Sequence, residues 1–273
     1  MTNAKDADTP AKHNILLVGP TGSGKTSQIW TLPGKKFVYI FDPNSLISLK
    51  GCDVDYEMFL PDTLEIDSTL KGFNKGSKDD RMPGSRIEPT TYIKWVEDMN
   101  ERYDKGFFND YKWLCIDSLT YLQRAVFDRQ LYINNRYGKI EELADYRIVG
   151  SKLSDVFRPI SSLPINIFVT GHIRDFQDEI TRKITTELNL SGQAKTMVPL
   201  VMSNIWLARG ASTEKQIKFE IQTRPDIRGL QCIRSSFRGL DMYHDVTIQN
   251  FDRATEYGIG KILQLNNQQE EDR

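Results

Sequence analysis

One octapeptide constrains this chain more than any other part of its sequence. Residues 19–26 read Gly-Pro-Thr-Gly-Ser-Gly-Lys-Thr and fill every fixed position of the pattern G-x-x-x-x-G-K-[ST]. The apolar run Asn14–Val18 comes directly before them. Glycines let the backbone turn its N–H groups inward, so such a loop forms a concave set of donors for phosphate oxygens. The sequence therefore predicts a strand, this loop, and a helix that begins near Lys25.

The end of the loop carries the side chains of a polyphosphate site. Lys25 is expected to reach the β- and γ-phosphates, and the hydroxyl of Thr26 to bind Mg²⁺. The first turn of the helix adds the positive end of its dipole. The expected nucleotide contacts are Gly19, Pro20, Thr21, Gly22, Ser23, Gly24, Lys25, Thr26 and Ser27. ATP and Mg²⁺ are the expected cofactors; the lack of an N-K-x-D guanine-reading segment favours ATP over GTP without excluding GTP.

Short apolar runs predict the strands of a buried parallel sheet. They are Asn14–Val18, Lys36–Phe41, Trp113–Ile116 and Ile165–Thr170. Apolar residues at helical spacing between them predict helices over Tyr92–Tyr103, Leu119–Ile133 and Tyr146–Val156. Strands that alternate with helices indicate an α/β fold whose mainly parallel sheet is flanked by helices. Three later runs without long helices between them predict antiparallel strands at its edge: Asn204–Ala208, Gln216–Gln222 and Asp245–Gln249.

The chain length of 273 residues and this pattern are consistent with one domain over residues 14–260. Residues 1–13 are expected to be a disordered tail, and residues 261–273 a polar tail. Residues 51–89 are rich in Asp, Lys, Gly and Pro and lack periodicity, which indicates an insertion or a mobile loop.

Composition limits the function classes. The net charge of −1 provides no global attraction to nucleic acid, so any DNA binding requires a local basic surface. The three cysteines are far apart, which argues against a disulfide framework and a zinc site. No apolar run is long enough to cross a bilayer, and the first residues lack a signal-peptide pattern. We therefore expect no membrane association and a cytoplasmic location.

Asp117 follows the third apolar run directly. A carboxylate at the end of a buried strand is what a P-loop site needs to hold Mg²⁺ beside Thr26. Asp117 and Ser118 also precede a helical pattern, so Asp117 could instead cap that helix. The two roles are compatible.

Four motifs in this order resemble the RecA-like P-loop ATPases, and among them the short phage-encoded proteins linked to single-strand annealing and recombination. They are the phosphate loop, Leu-Pro-Gly at Leu32–Gly34, Ile-Asp-Ser at Ile116–Ser118, and Phe-Val-Thr-Gly-His at Phe168–His172. The resemblance covers roughly residues 14–250. The phosphate loop is the highly specific motif among them.

The resemblance implies roles for several residues outside the loop. His172 would sense the γ-phosphate and pass its state to a DNA-facing loop, Arg174–Lys195. A structural histidine bonded to a backbone carbonyl is the alternative for His172, and a solvated hairpin is the alternative for the loop. A cation from a neighbouring subunit would reach the γ-phosphate, and Arg234 is the candidate among Arg224, Arg228, Arg234 and Arg238, with a surface arginine as the alternative for each of the four. RecA-like enzymes carry a water-orienting glutamate after the second strand, whereas this chain has Asn44. An amide cannot accept a proton, so either Asp42 substitutes or hydrolysis is slow.

The resemblance thus implies a weak ATPase that acts on single-stranded DNA as a ring or filament, with a single-strand DNA-binding protein as a candidate partner. The sequence is also compatible with two other classes of function. One is a P-loop kinase that transfers the γ-phosphoryl group to a small molecule or a polynucleotide end. The other is a nucleotide-dependent interaction module without catalysis.

Overall fold

The computed structural model describes residues 12–61, 88–136, 140–177, 184–212, 217–226, 232–237 and 239–271, with the single positions 179, 182 and 230. Their strands form one sheet of nine strands. The strands are β1 (Asn14–Gly19), β2 (Lys36–Ile40), β3 (Asp55–Met58), β4 (Trp113–Asp117), β5 (Asn166–Gln177), β6 (Ile184–Leu188), β7 (Asn204–Ser212), β8 (Ile217–Gln222) and β9 (Tyr243–Asp245).

The order of the strands places the phosphate loop in the middle of the sheet. The order is β3-β2-β4-β5-β1-β7-β8-β9, and β6 pairs with the outer half of β5. All pairs from β3 to β7 are parallel, whereas β5–β6, β7–β8 and β8–β9 are antiparallel. The mainly parallel α/β sheet with antiparallel strands towards the C-terminus is therefore confirmed.

Helices cover the sheet. They are α1 (Ser45–Leu49), α2 (Thr91–Asp104), α3 (Leu119–Ile133), α4 (Leu143–Ser162), α5 (Ala194–Leu200) and α6 (Gly258–Glu271). The three long helices predicted from helical spacing, α2, α3 and α4, are confirmed. The helix after the phosphate loop differs from the expectation, because Thr26–Thr31 is a 3₁₀ helix of six residues. Its contribution of aligned dipoles is correspondingly small.

Both faces of the sheet are buried, because alternate residues of each strand point to opposite sides. In β1, Leu16 and Val18 belong to the core under α2, α3 and α4. Ile15 and Leu17 belong to the core on the other face, which includes Ile259 of α6. Burial on both faces explains the near-continuous apolar runs of the sequence.

The structure corrects several expected boundaries. β5 does not end at Thr170 but runs on to Gln177, because Ile173–Gln177 pairs with β6. The strand expected at Asp245–Gln249 is instead β9, Tyr243–Asp245, and a turn closed by the Thr247 N–H and the Asp245 carboxylate follows it.

Two segments expected to lack structure contain regular elements. Within 51–89, residues Asp55–Met58 form the edge strand β3, whose exposed side chains left no apolar signal; residues 62–87 lie outside the described residues. Most of the expected tail 261–273 belongs to α6, where Ile262 and Leu263 are buried. Residues 1–11 of the expected N-terminal tail also lie outside the described residues.

Candidate functional site

The carboxyl ends of β1, β2, β4 and β5 meet at one edge of the sheet, because these strands are parallel neighbours. Ligands of open α/β sheets bind at this edge. The crevice there is lined by Thr21, Gly22, Ser23, Gly24, Lys25, Thr26, Ser27, Asp42, Asn44, Ser45, Ser48, Asp117 and His172. Fold topology thus brings the phosphate loop together with the ends of three other strands.

The phosphate loop packs closely on the β7–β8 hairpin. A Cβ on Gly19 would lie 2.4 Å from the carbonyl oxygen of Ala208, so only glycine fits there. Gly22 and Gly24 both have a φ of +77°, a backbone conformation that glycine adopts without strain. A Cβ on Gly24 would lie 2.9 Å from the ring of Phe219. Close packing as well as backbone freedom therefore explains these glycines.

The ammonium of Lys25 is held inside the loop. It donates to the carbonyl oxygens of Gly19 at 3.1 Å and Pro20 at 2.7 Å, and the residue is 8% exposed. Burial lowers the pKa of Lys25 to about 8, although the carboxylates of Asp117 and Asp42 oppose this shift. The site thus holds a desolvated cation, which has a large electrostatic gain from a bound polyphosphate.

The carboxylate of Asp117 accepts hydrogen bonds from three hydroxyl groups. Its Oδ2 accepts from the hydroxyl of Thr26 at 2.9 Å and from that of Ser45 at 2.5 Å. The hydroxyl of Thr170 donates to its Oδ1. The helix-cap alternative receives no support, because Ser118 occupies the N-cap position of α3 and the Asp117 side chain bonds these hydroxyls. The Asp117–Ser118 peptide bond is cis.

The oxygens at Thr26 and Asp117 suit magnesium. Mg²⁺ binds one or two protein oxygens and completes its shell with waters and substrate phosphates. Across the described residues, no group of three His, Cys, Asp or Glu side chains offers a different metal site. A hydroxyl and a carboxylate in contact, beside the phosphate loop, are therefore the residues that would hold the ion.

The turn after β2 carries Asp42 and Asn44. The backbone N–H of Asn44 donates to Oδ1 of Asp42 at 2.9 Å, and Asn44 is the N-cap residue of α1, although its side chain makes no capping hydrogen bond. Both residues line the same crevice as Lys25. The sequence missed Ser45, Ser48 and Thr170, although Thr170 ends a predicted strand and Ser45 lies just after one.

His172 lies within β5 and lines the crevice. Burial, and next the ammonium of Lys25, lower the pKa of His172. Its backbone N–H donates to the Thr120 hydroxyl, and its ring lies edge-on to Tyr121 with centroids 6.4 Å apart. Among the described residues, no backbone carbonyl is hydrogen-bonded to its ring.

The expected DNA-facing loop Arg174–Lys195 contains the β5–β6 hairpin and the start of α5. Two of its cations, Arg174 and Lys195, contact the same carboxylate, Glu187, at 3.6 Å and 2.5 Å. Phe176 is 50% exposed, and Arg182 is exposed. Lys183 lies outside the described residues. Two of the basic residues of this segment are thus paired with a carboxylate of the same segment.

Arg234 lies away from the crevice. It pairs with Ile205 near the start of β7, at the amino edge of the sheet. Its guanidinium donates to the carbonyl oxygens of Pro199, in the last turn of α5, and Met202, just after it. Arg228 and Arg238 lie outside the described residues, and Arg224 is exposed just after β8. Arg234 therefore contributes to the packing of its own subunit.

A larger groove of about 390 Å³ lies between α2 and α4. Its lining is mostly apolar and includes Trp95, Met99 and Ile160 but neither Lys nor Arg. It therefore lacks the cations that a polyphosphate requires, and the smaller crevice at the loop remains the candidate site. In the part of the chain that the structure describes, no helix is both long and apolar enough to span a membrane.

Comparison with known proteins places this site in a family. The flagellar accessory protein FlaH from Methanocaldococcus jannaschii is a similar structure at 12% identity and a TM-score of 0.41, covering 86% of this chain and 84% of that one. The KaiC-like protein PH0186 from Pyrococcus horikoshii OT3 is similar at 13% identity and a TM-score of 0.40, with 86% and 84% covered. No curated protein matches significantly. The family model described as "AAA domain" matches residues 11–208, which include the phosphate loop and the strand that ends at Asp117. The predicted RecA-like P-loop fold class is confirmed. The chain therefore belongs to the AAA domain family.

Proposed function

We propose that this chain binds ATP with Mg²⁺, hydrolyses it slowly, and uses it to control binding to single-stranded DNA. The observation that carries the proposal is the contact of Thr26 with Asp117 beside the ammonium of Lys25. The loop amides and Lys25 bind phosphate oxygens, while Thr26 and Asp117 hold the magnesium. The ion, when bound, neutralises charge on the β- and γ-phosphates.

Asp42 is the proton acceptor that we assign to the attacking water. Asp42 and Asp117 are the carboxylates among the described residues that line the crevice, and Asp117 already accepts three hydroxyl hydrogen bonds. Oδ1 of Asp42 accepts the backbone N–H of Asn44, and none of the described residues donates a hydrogen bond to its other oxygen. The amide of Asn44 orients a water but cannot take its proton. Asp42 is thus a single base whose carboxylate already accepts one hydrogen bond, which supports slow hydrolysis.

Strand β5 provides a path from the nucleotide to the DNA. Thr170 bonds Asp117 at the metal side, and His172 lines the crevice two residues later. The same strand then continues to Phe176 in the hairpin, where its hydrogen bonds to β6 hold it extended. A shift of His172 towards or away from the γ-phosphate would therefore displace the hairpin.

Stacking, more than charge, supports single-strand binding by the hairpin. Phe176 offers an aromatic face, and stacking of one base on such a ring contributes about 1–3 kcal/mol. Arg174 and Arg182 are exposed, but Arg174 shares the carboxylate of Glu187 with Lys195, which reduces the charge available to a phosphate backbone. Few released counterions imply a shallow dependence of the affinity on salt.

We also propose an oligomer in which a cation from one subunit completes the site of the next. Arg234 was the sequence candidate, but its guanidinium bonds Met202 and Pro199 of its own chain. Arg224 is exposed, and we assign the role to it. Mixing Lys25→Ala subunits with Arg224→Ala subunits tests this: sites that combine an intact loop with an intact arginine should restore hydrolysis. Arg234→Ala in place of Arg224→Ala is the matched comparison.

Fluorescence anisotropy of a labelled single strand tests the proposed function. With Mg-ATP, the wild-type affinity should exceed the affinity without nucleotide, and Lys25→Ala should lose that difference. Phe176→Ala should weaken binding about tenfold, as expected for the loss of one stacked base. Ile184→Ala, an exposed apolar residue of the facing strand, is the control and should bind like the wild type. The absence of binding at low salt with ATP would exclude single-stranded DNA as the partner.

A further inference from the structure

Ser45 is a buried hydroxyl at the metal side of the site. It is 3% exposed, and its Oγ donates to Oδ2 of Asp117 at 2.5 Å. Thr26 donates to the same oxygen. One carboxylate oxygen therefore joins the end of the phosphate loop to the start of α1.

Asp117 holds the turn before Ser45 through its backbone as well. Its carbonyl oxygen accepts from the backbone N–H of Phe41 at 2.6 Å and of Asp42 at 3.3 Å. The turn then closes on itself, since the N–H of Ser45 donates to the Asp42 carbonyl at 3.1 Å. The hydroxyl of Ser45 is thus the side-chain link between the Asp117 carboxylate and the turn that presents Asp42 and Asn44.

The environment makes this link strong. A hydrogen bond to a buried carboxylate is about twice as strong as a neutral one. Asp117 is 2% exposed, and the ammonium of Lys25 donates to Gly19 and Pro20 instead of to this carboxylate. Within the described residues, the hydroxyls of Thr26, Ser45 and Thr170 are the side-chain donors to the carboxylate.

We propose that Ser45 is a positioning residue of the magnesium site, which fixes Oδ2 of Asp117 and couples it to the turn carrying Asp42. This inference rests on the proposed binding of ATP with Mg²⁺. Ser45 bonds Asp117 and makes no hydrogen bond to the loop residues 19–25. Loss of its hydroxyl should therefore weaken the magnesium-dependent part of nucleotide binding and leave the metal-free part unchanged.

A magnesium titration separates the two parts. A fluorescent ATP analogue is bound to each variant first in EDTA and then at increasing Mg²⁺. In Ser45→Ala, the Mg²⁺ concentration at half-saturation should rise about tenfold, as for lost partners of metal ligands in other sites. The affinity in EDTA should stay within about twofold of the wild type. Ser154→Ala is the matched control, because Ser154 is also a buried serine but lies in α4, outside the lining of the crevice.

Ser45→Thr keeps a hydroxyl at this position, so its half-saturating Mg²⁺ concentration should lie close to the wild-type value. If Ser45 only filled space, the presence of a hydroxyl would not affect this concentration. If circular dichroism shows that Ser45→Ala is unfolded, Ser45→Cys, which keeps the size but donates weakly, supplies the comparison. A folded variant without the hydroxyl that shows wild-type Mg²⁺ dependence would overturn the inference. A wild-type protein that binds no nucleotide would instead remove the proposed function.

Discussion

The hydroxyl of Thr26 donates to the carboxylate of Asp117 at 2.9 Å, although the two residues are 91 positions apart in the chain. Thr26 follows the loop after β1, Asp117 ends β4, and β5 lies between these two strands and is parallel to both. The carboxyl ends of β1 and β4 consequently face the same crevice. In the proposed function, this contact identifies Thr26 and Asp117 as the residues that would hold the magnesium, while Lys25, whose ammonium donates to the loop carbonyls, would bind the phosphates.

Lys25→Ala should abolish detectable nucleotide binding. The change removes the cation that is buried among the loop carbonyls and leaves no other lysine or arginine in the lining of the crevice. Isothermal calorimetry with Mg-ATP measures the effect, with circular dichroism as the control for folding. Wild-type heats from a folded Lys25→Ala protein would show that the loop is not the phosphate site.

Asp117→Asn should raise the Mg²⁺ requirement of nucleotide binding by at least about tenfold. The amide keeps the size of the side chain but removes the negative charge and one acceptor oxygen, so the three hydroxyl donors are no longer all satisfied. Asp110→Asn, an exposed carboxylate before β4, is the matched control. Equal Mg²⁺ titrations for the two variants would place the metal elsewhere.

Nucleotide affinity should fall as the pH rises through about 8. Burial lowers the pKa of Lys25 from 10.5 to about 8, so free protein loses this proton above that pH, while a polyphosphate favours the charged form.

The same pKa shift makes the stability of the free protein depend on pH. Between its folded-state pKa of about 8 and its unfolded-state pKa of 10.5, Lys25 is protonated in the unfolded state and deprotonated in the folded state. The free energy of unfolding therefore rises with pH in this range, by at most about 1.4 kcal/mol per pH unit. Urea unfolding of the wild type and Lys25→Met between pH 7 and 10 isolates this contribution. A wild-type slope equal to that of Lys25→Met would contradict the shifted pKa.

Gly24→Ala should destabilise the protein more than Gly22→Ala. Both glycines have a φ of +77°, which costs an alanine about 1 kcal/mol. The added Cβ at Gly24 also meets the Phe219 ring at 2.9 Å, whereas nothing lies within 4 Å of the Cβ at Gly22. Thermal unfolding measures the difference. Equal melting temperatures would mean that Phe219 moves aside without cost.

Asp42→Asn should lower the ATP turnover about a hundredfold or more, the usual contribution of a general base, with little change in nucleotide affinity. Asn44→Ala should lower turnover less, because its amide orients a water without accepting a proton. Single-turnover phosphate release measures both variants. Brisk turnover that survives the double change Asp42→Asn with Asn44→Ala would refute the assignment.

The loop, its strand and the long helices could be predicted from the sequence, because each is indicated by residues that lie close together in the chain. Leu16 and Val18, for example, signal a buried strand wherever that strand lies in the sheet. Segments without an apolar pattern were misjudged for the same reason. The sequence of the exposed edge strand Asp55–Met58 gives no sign of a strand, which is held by pairing with β2. In α6 the apolar residues at helical spacing are few, and the polar end of the chain that follows them obscures the pattern.

The sequence by itself determined that residues 19–26 form a phosphate loop, because glycine spacing and one lysine are local properties of the backbone. The tertiary structure decided which side chains join it. Ser45 and Thr170 share the Asp117 carboxylate, and Arg234 turns to the carbonyls of its own chain. Such hydrogen bonds connect residues brought together by strand order, and strand order depends on the packing of the whole sheet.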